Sequence, residues 1–113
     1  MKRTHIARLT DIAENADAIR SMIDGSDFGS YRNNFQLRKA VERCLEIISE
    51  ASRSIPEELK ASHPHIPWRD VAAIGNLLRH EYQRVDDFVI WSIAVKSLPP
   101  LRLSVAAMLE NAN

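Results

Sequence analysis

Apolar residues in this chain recur at intervals of three and four, and no stretch sustains the period-two alternation of a half-buried strand, so the pattern predicts helices throughout. The expected fold class is all-α, an antiparallel bundle of four to five helices. The first helix is expected from Thr4 to Ile23, with Ile6, Leu9, Ala13, Ala16, Ile19 and Ile23 on one side, and Asp24-Gly25-Ser26 stops it. Residues 24–34 read as loop with one short turn around Phe28 to Arg32. The most regular stretch is Asn34 to Ser54, where Leu37, Val41, Cys44, Ile48, Ala51 and Ile55 step by four, three, four, three and four. Such a heptad-like seam suits packing against another helix of the same fold or against a second copy. Ile55-Pro56 closes it, because the residue before a proline disfavours the helical region.

Pro56 to Lys60 reads as a short helix with proline in its first turn, and Ala61 to Pro67 as loop. Pro67-Trp68 opens a third long helix that reaches His80. Asp86 is placed to cap a further helix through Phe88, Val89, Trp91, Ile93 and Val95, and Ser97 with Pro99-Pro100 starts a last one to Leu109. Neither a repeat nor a linker divides residues 1–113, a length suited to a single domain.

At about 100° per residue, Val71, Ile74 and Leu78 fall on one side of the third helix, while Arg69, Ala73, Asn76 and His80 line the other. Ala72, Ala73 and Gly75 flank that polar stripe, and small side chains let a backbone or ligand approach closely. The stretch from Gly75 to Tyr82 concentrates more chemistry than any other. Histidine can move a proton near neutral pH and arginine can hold phosphate oxygens. His80 is the candidate acid or base, Arg79 the candidate phosphate contact, and Asn76, four residues before His80, shares its side of the helix. Each also has a plainer reading, since cations favour the last turn of a helix and Asn76 can be a surface amide. Tyr82 can approach His80 only if the helix ends near residue 80.

Charge adds no long-range pull toward nucleic acid, because 15 Lys and Arg balance 15 Asp and Glu. Cys44 is a single cysteine within an apolar pattern, which suits a buried thiol in a reducing compartment, and the expected location is the cytoplasm. No run of 18 apolar residues or signal-like start predicts a membrane span or export. Glu42, Glu46 and Glu50 form a like-charge row that Lys39, Arg43 and Arg53 are spaced to compensate. His63-Pro64-His65 has metal-site spacing but no Cys or carboxylate nearby, so neither metal nor cofactor is expected. Trp68 and Trp91 read as core or interface anchors.

Five ordered segments together carry a resemblance: Ile66-Pro67-Trp68-Arg69, the spaced Asn76, Leu78, His80 and Tyr82, Val85-Asp86, Leu98-Pro99-Pro100-Leu101, and Glu46 to Ala51. In that order they resemble the HepT-like family, a branch of the HEPN helical domains, over nearly the whole chain. The resemblance implies an all-helical homodimer with a cleft near the dimer interface, acting on RNA as a metal-independent ribonuclease and as the toxin half of a toxin-antitoxin pair. Its implied partner is a minimal nucleotidyltransferase antitoxin that transfers AMP onto the motif tyrosine. By position, His80 with Arg79 and Asn76 would be catalytic and Tyr82 the modified residue, with Glu46, Glu50 and Arg69 as secondary cleft residues. One departure stands out. The family motif runs arginine, four to six residues, histidine, one residue, tyrosine, and Gly75 occupies the place of its arginine. That departure keeps two other readings open, a catalytically degenerate module that docks the nucleotidyltransferase, and a scaffold dimer without chemistry.

Overall fold

A computed structural model of the chain describes residues 1–112 and, at Tyr82, the backbone alone. Its helices are α1 (Arg3–Ile23), α2 (Phe28–Arg32), α3 (Phe35–Ser52), α4 (Glu57–Ala61), α5 (Trp68–His80), α6 (Asp87–Ser92) and α7 (Leu98–Glu110), and no strand occurs among the described residues. The all-α expectation holds. Some of the starts have a local cause in a capping side chain. Asn34 caps α3 by accepting from the Leu37 amide at 3.0 Å, and Asp86 caps α6 by accepting from the Phe88 amide at 2.8 Å. Gly25, at φ 75°, takes the left-handed conformation that turns the chain out of α1.

The long helices pack in the order α7, α1, α3, α5, each against the next. The core is formed where these faces meet, from Leu9, Ile12, Ile19, Val41, Leu45, Ile48 and Val105 among others. Ile12 and Leu45 are sealed although the simplest seams passed over them, because the inward stripe of a packed helix is wider than a two-position heptad seam. Conversely Leu37 and Cys44 are only half-buried. Burial pushes the Cys44 thiol above its usual range, against the weaker opposite pull of Arg43. The short α2 is held to α6 through aromatic rings, with Phe28 edge-on to Phe88 at 5.1 Å and Tyr31 against Trp91 at 5.4 Å.

The expected break before the last helix is absent. A π-helical segment, Ile93–Ser97, joins α6 to α7 without interruption. A proline in an α-helix clashes with the carbonyl four residues back, and Pro99 and Pro100 would meet those of Val95 and Lys96. The wider π turn immediately before them opens the helix at that point. The joined stretch Asp87–Glu110 has a mean hydropathy of 1.3 in its most apolar window, long and apolar enough by composition to cross a membrane. The run-length reading did not register it because Lys96 and Arg102 interrupt the sequence. In the fold, Ile90, Ala94, Leu98, Leu101, Val105 and Met108 of this stretch are buried, and the chain forms a compact globule with a radius of gyration of 13.9 Å.

Candidate functional site

Helix α5 lies at the edge of the bundle, resting chiefly on α3. Its buried residues are Val71, Gly75 and Leu78, and its opposite side leaves Arg69, Ala73, Asn76 and His80 exposed, as its periodicity predicts. The helix ends at His80. Glu81 follows as the last cap residue, and Tyr82–Arg84 form a 3-10 turn. This is the helix end that an approach of Tyr82 to His80 requires, although the Tyr82 side chain itself lies outside the described residues.

The α3–α5 contact is built around Ser49. Its hydroxyl donates to the Ala72 carbonyl at 2.9 Å and accepts from the Gly75 amide at 2.9 Å, so a serine sealed from solvent has both of its roles filled. Arg53 also donates to the Ala72 carbonyl, at 3.1 Å. The helices are so close here that a Cβ at position 75 would stand 2.9 Å from Ser49 Oγ and 3.1 Å from Ser49 Cβ. Glycine is required at 75 by proximity, not by backbone conformation. The same Cβ position lies 3.2 Å from Nη1 of Arg79, whose guanidinium folds back over the glycine one turn earlier.

Beside this contact is a cleft of about 230 Å³ bounded by α1, α3 and α5, with Arg8, Arg43, Glu46, Glu50 and Arg79 on its walls. Arg8 pairs with Asp11 at 3.1 Å and Arg43 with Glu46 at 3.6 Å. No ion pair within 4 Å ties down Arg79 among the described residues. The glutamate row is therefore compensated only in part. Lys39 pairs with Glu42 at 3.3 Å and Arg43 with Glu46, but Arg53 is drawn away from Glu50 to the Ala72 carbonyl.

Of the sequence candidates, the structure brings Glu46, Glu50 and Arg79 to one cleft. Neither carboxylate is within ion-pair distance of Arg79. His80 and Asn76 lie outside that lining, around the exposed side of α5, and Arg69 stands near the start of the helix, away from His80. Sequence reasoning missed the bonding role of Ser49 and the cleft position of Arg8, and read Arg43 only as a partner of the glutamate row, where it does pair with Glu46. The signal available for Ser49 was a pair of serines, Ser49 and Ser52, inside an otherwise apolar seam facing the small residues of α5. His63 and His65 prove to be anchors: His63 Nδ1 lies 3.0 Å and His65 Nε2 3.2 Å from Ser104 Oγ, tying their loop to α7. Trp68 fastens the same loop by donating to the carbonyls of Lys60 and His63.

The Ribonuclease HepT-like family matches residues 12–108, nearly the whole bundle including α3, α5 and the turn at Tyr82. The chain belongs to the HepT-like ribonuclease family. Three similar proteins agree with it in length as well as sequence. A protein of Thermococcus cleftensis named a probable ribonuclease HepT is 39% identical over 90% of this chain and 93% of its own length. A Methanocaldococcus jannaschii protein named as a candidate RNase is 35% identical over 92% and 95%, and one of Caldanaerobacter subterraneus subsp. tengcongensis is 30% identical over 90% and 91%. No solved structure matches the chain.

Proposed function

We propose that this chain is a metal-independent RNA endonuclease that works as a homodimer in the cytoplasm, the toxin of a toxin-antitoxin pair. The observation that carries the reading is the end of α5, where His80 is exposed and Arg79 holds no carboxylate. His80 takes the proton from a ribose 2′-hydroxyl or protonates the leaving oxygen, while Arg79 stabilises the charge that gathers on the phosphorus centre. Asn76 contacts the phosphate from the same side of the helix as His80. Arg79 and His80 leave the helix about 100° apart, and only Arg79 lines the cleft, which supports a site completed by a second copy.

Purified chain mixed with RNA in a chelator is expected to cut it, and His80→Ala is expected to slow cutting by about 10²–10⁴-fold, the usual worth of a positioned acid or base. Equal cutting by the variant would remove His80 from the mechanism.

The neutralising partner is a minimal nucleotidyltransferase that moves AMP from ATP onto the Tyr82 hydroxyl and releases pyrophosphate. Gly75, where the family motif has arginine, favours a second reading: a module that no longer cuts RNA and whose remaining activity is to dock that enzyme and accept AMP. Intact-mass measurement after incubation with the partner and ATP is expected to show one added AMP, absent in Tyr82→Phe. A chain that gains AMP but leaves RNA whole supports the second reading over the first.

A further inference from the structure

Arg79 has a place prepared for it, and the preparation is made by residues that do no chemistry. Three observations converge on the missing Cβ of Gly75. Ser49 Oγ lies 2.9 Å from that point, Ser49 Cβ 3.1 Å, and Arg79 Nη1 3.2 Å. Position 79 is one turn after 75, so its side chain rises from almost the same face. Any side chain at 75 would occupy the ground on which the guanidinium now rests. Long arginines on a helix surface ordinarily sample many rotamers or settle on a carboxylate, and this cleft supplies Glu46 and Glu50. Glu46 is instead taken by Arg43, and no carboxylate lies within 4 Å of Arg79.

We propose that the Ser49–Gly75 contact is a positioning device: a notch that seats the Arg79 guanidinium, unpaired, at the cleft between α1, α3 and α5, where it grips a phosphodiester oxygen of a bound strand. Ser49 acts by fixing the helix separation through its bonds to Ala72 and Gly75, and Gly75 by having no side chain. Arginine is suited to the role because its planar fork presents paired donors to phosphate oxygens. The cleft's other arginines, Arg8 and Arg43, are each held by a carboxylate, so the grip falls to Arg79. The inference rests on the ribonuclease reading for its ligand class, and its test is built so that binding is read without cleavage.

The probe is a single-stranded 2′-deoxy oligonucleotide, which lacks the hydroxyl that cleavage needs, titrated against the full chain at several salt concentrations. Arg79→Ala is expected to weaken binding about tenfold, the worth of one charge-assisted contact. It is also expected to reduce the slope of log affinity against log salt by about 0.7, the share of one phosphate on a single strand. A merely structural residue would not move that slope. Gly75→Ala alone would press on Ser49 and could disturb the helix contact, so the decisive variant is Gly75→Ala with Ser49→Gly. It moves the β-carbon across the interface and exchanges helix propensities that nearly cancel, and because it also removes the Ser49 hydroxyl with its bonds to Ala72 and Gly75, Ser49→Gly alone is the control, so that what the pair loses beyond it reports the filled Arg79 seat. This pair is expected to keep the wild-type circular dichroism, to show the weakened affinity and reduced slope of Arg79→Ala, and to lose nothing further when Arg79→Ala is added. Unchanged affinity and slope in Arg79→Ala, or wild-type binding by the Gly75→Ala, Ser49→Gly pair, would overturn the proposal. If wild-type chain binds the probe through Arg79 yet leaves RNA uncut, the seat stands and the cleavage reading falls.

Discussion

Buried polar atoms decide several of the local arguments, and Tyr31 shows the cost of one without a partner. Its ring is fully sealed among the aromatics of α2 and α6, and its hydroxyl has no hydrogen-bond partner among the described residues. Burial raises its pKa, helped by the charges of Glu42 and Asp87 and opposed by Arg38. The folded chain therefore holds this proton more tightly than the unfolded one, whose tyrosine titrates near 10. Stability from this group is present in full below about pH 10 and is lost as the pH rises beyond it. Tyr31→Phe is expected to raise the unfolding free energy at pH 7 by about 1 kcal/mol, since an unsatisfied hydroxyl leaves the core. It should also flatten the alkaline fall in stability, and urea titrations at pH 7 and at pH 11 check both effects. A loss of more than 1 kcal/mol at pH 7 would mean that the hydroxyl is well bonded. Single residues were unevenly legible. His80 and Asn76 could be placed on the exposed side of α5 from their spacing, whereas Ser49 could not be matched to Gly75, 26 residues later, because that pairing follows from how two helices dock.

Helices were read where local rules govern them and misread where neighbours intervene. The starts of α3 and α6 follow from Asn34 and Asp86, side chains that satisfy amides within their own turn. Asp86→Ala is expected to cost about 1 kcal/mol in thermal or urea unfolding, the usual worth of such a cap. No change would mean that the π segment and the packing of α7, rather than the cap, hold the start of α6. The boundary placed between α6 and α7 was wrong for an instructive reason. Two adjacent prolines, tolerated in a first turn, read as the start of a new helix, but a π turn at Ile93–Ser97 precedes them while buried Ala94, Leu98 and Leu101 keep the axis continuous. The glutamate row on α3 likewise looked like a matter for its own helix, until Arg53 was found bonded to α5.

At the scale of the molecule, the order α7, α1, α3, α5 leaves α5, the helix of the candidate site, on the outside, with one face docked and the other open. That arrangement was not readable from periodicity, which marks an apolar side but does not say which neighbour covers it. The overall balance of charge means that a strand must be held by particular contacts rather than by a broad field. It also leaves no net repulsion between copies. Within one chain Arg79 faces the cleft and His80 does not, so the account rests on two copies sharing a site. The direct test mixes two variants, His80→Ala and Arg79→Ala, under conditions that exchange subunits, and measures RNA cutting in a chelator. Each variant alone is expected to be nearly inactive. Random exchange makes half of the dimers mixed, each with one complete site of two, so the mixture should recover about a quarter of wild-type activity. Verified mixed dimers that cut no faster than either parent would contradict a site shared between copies.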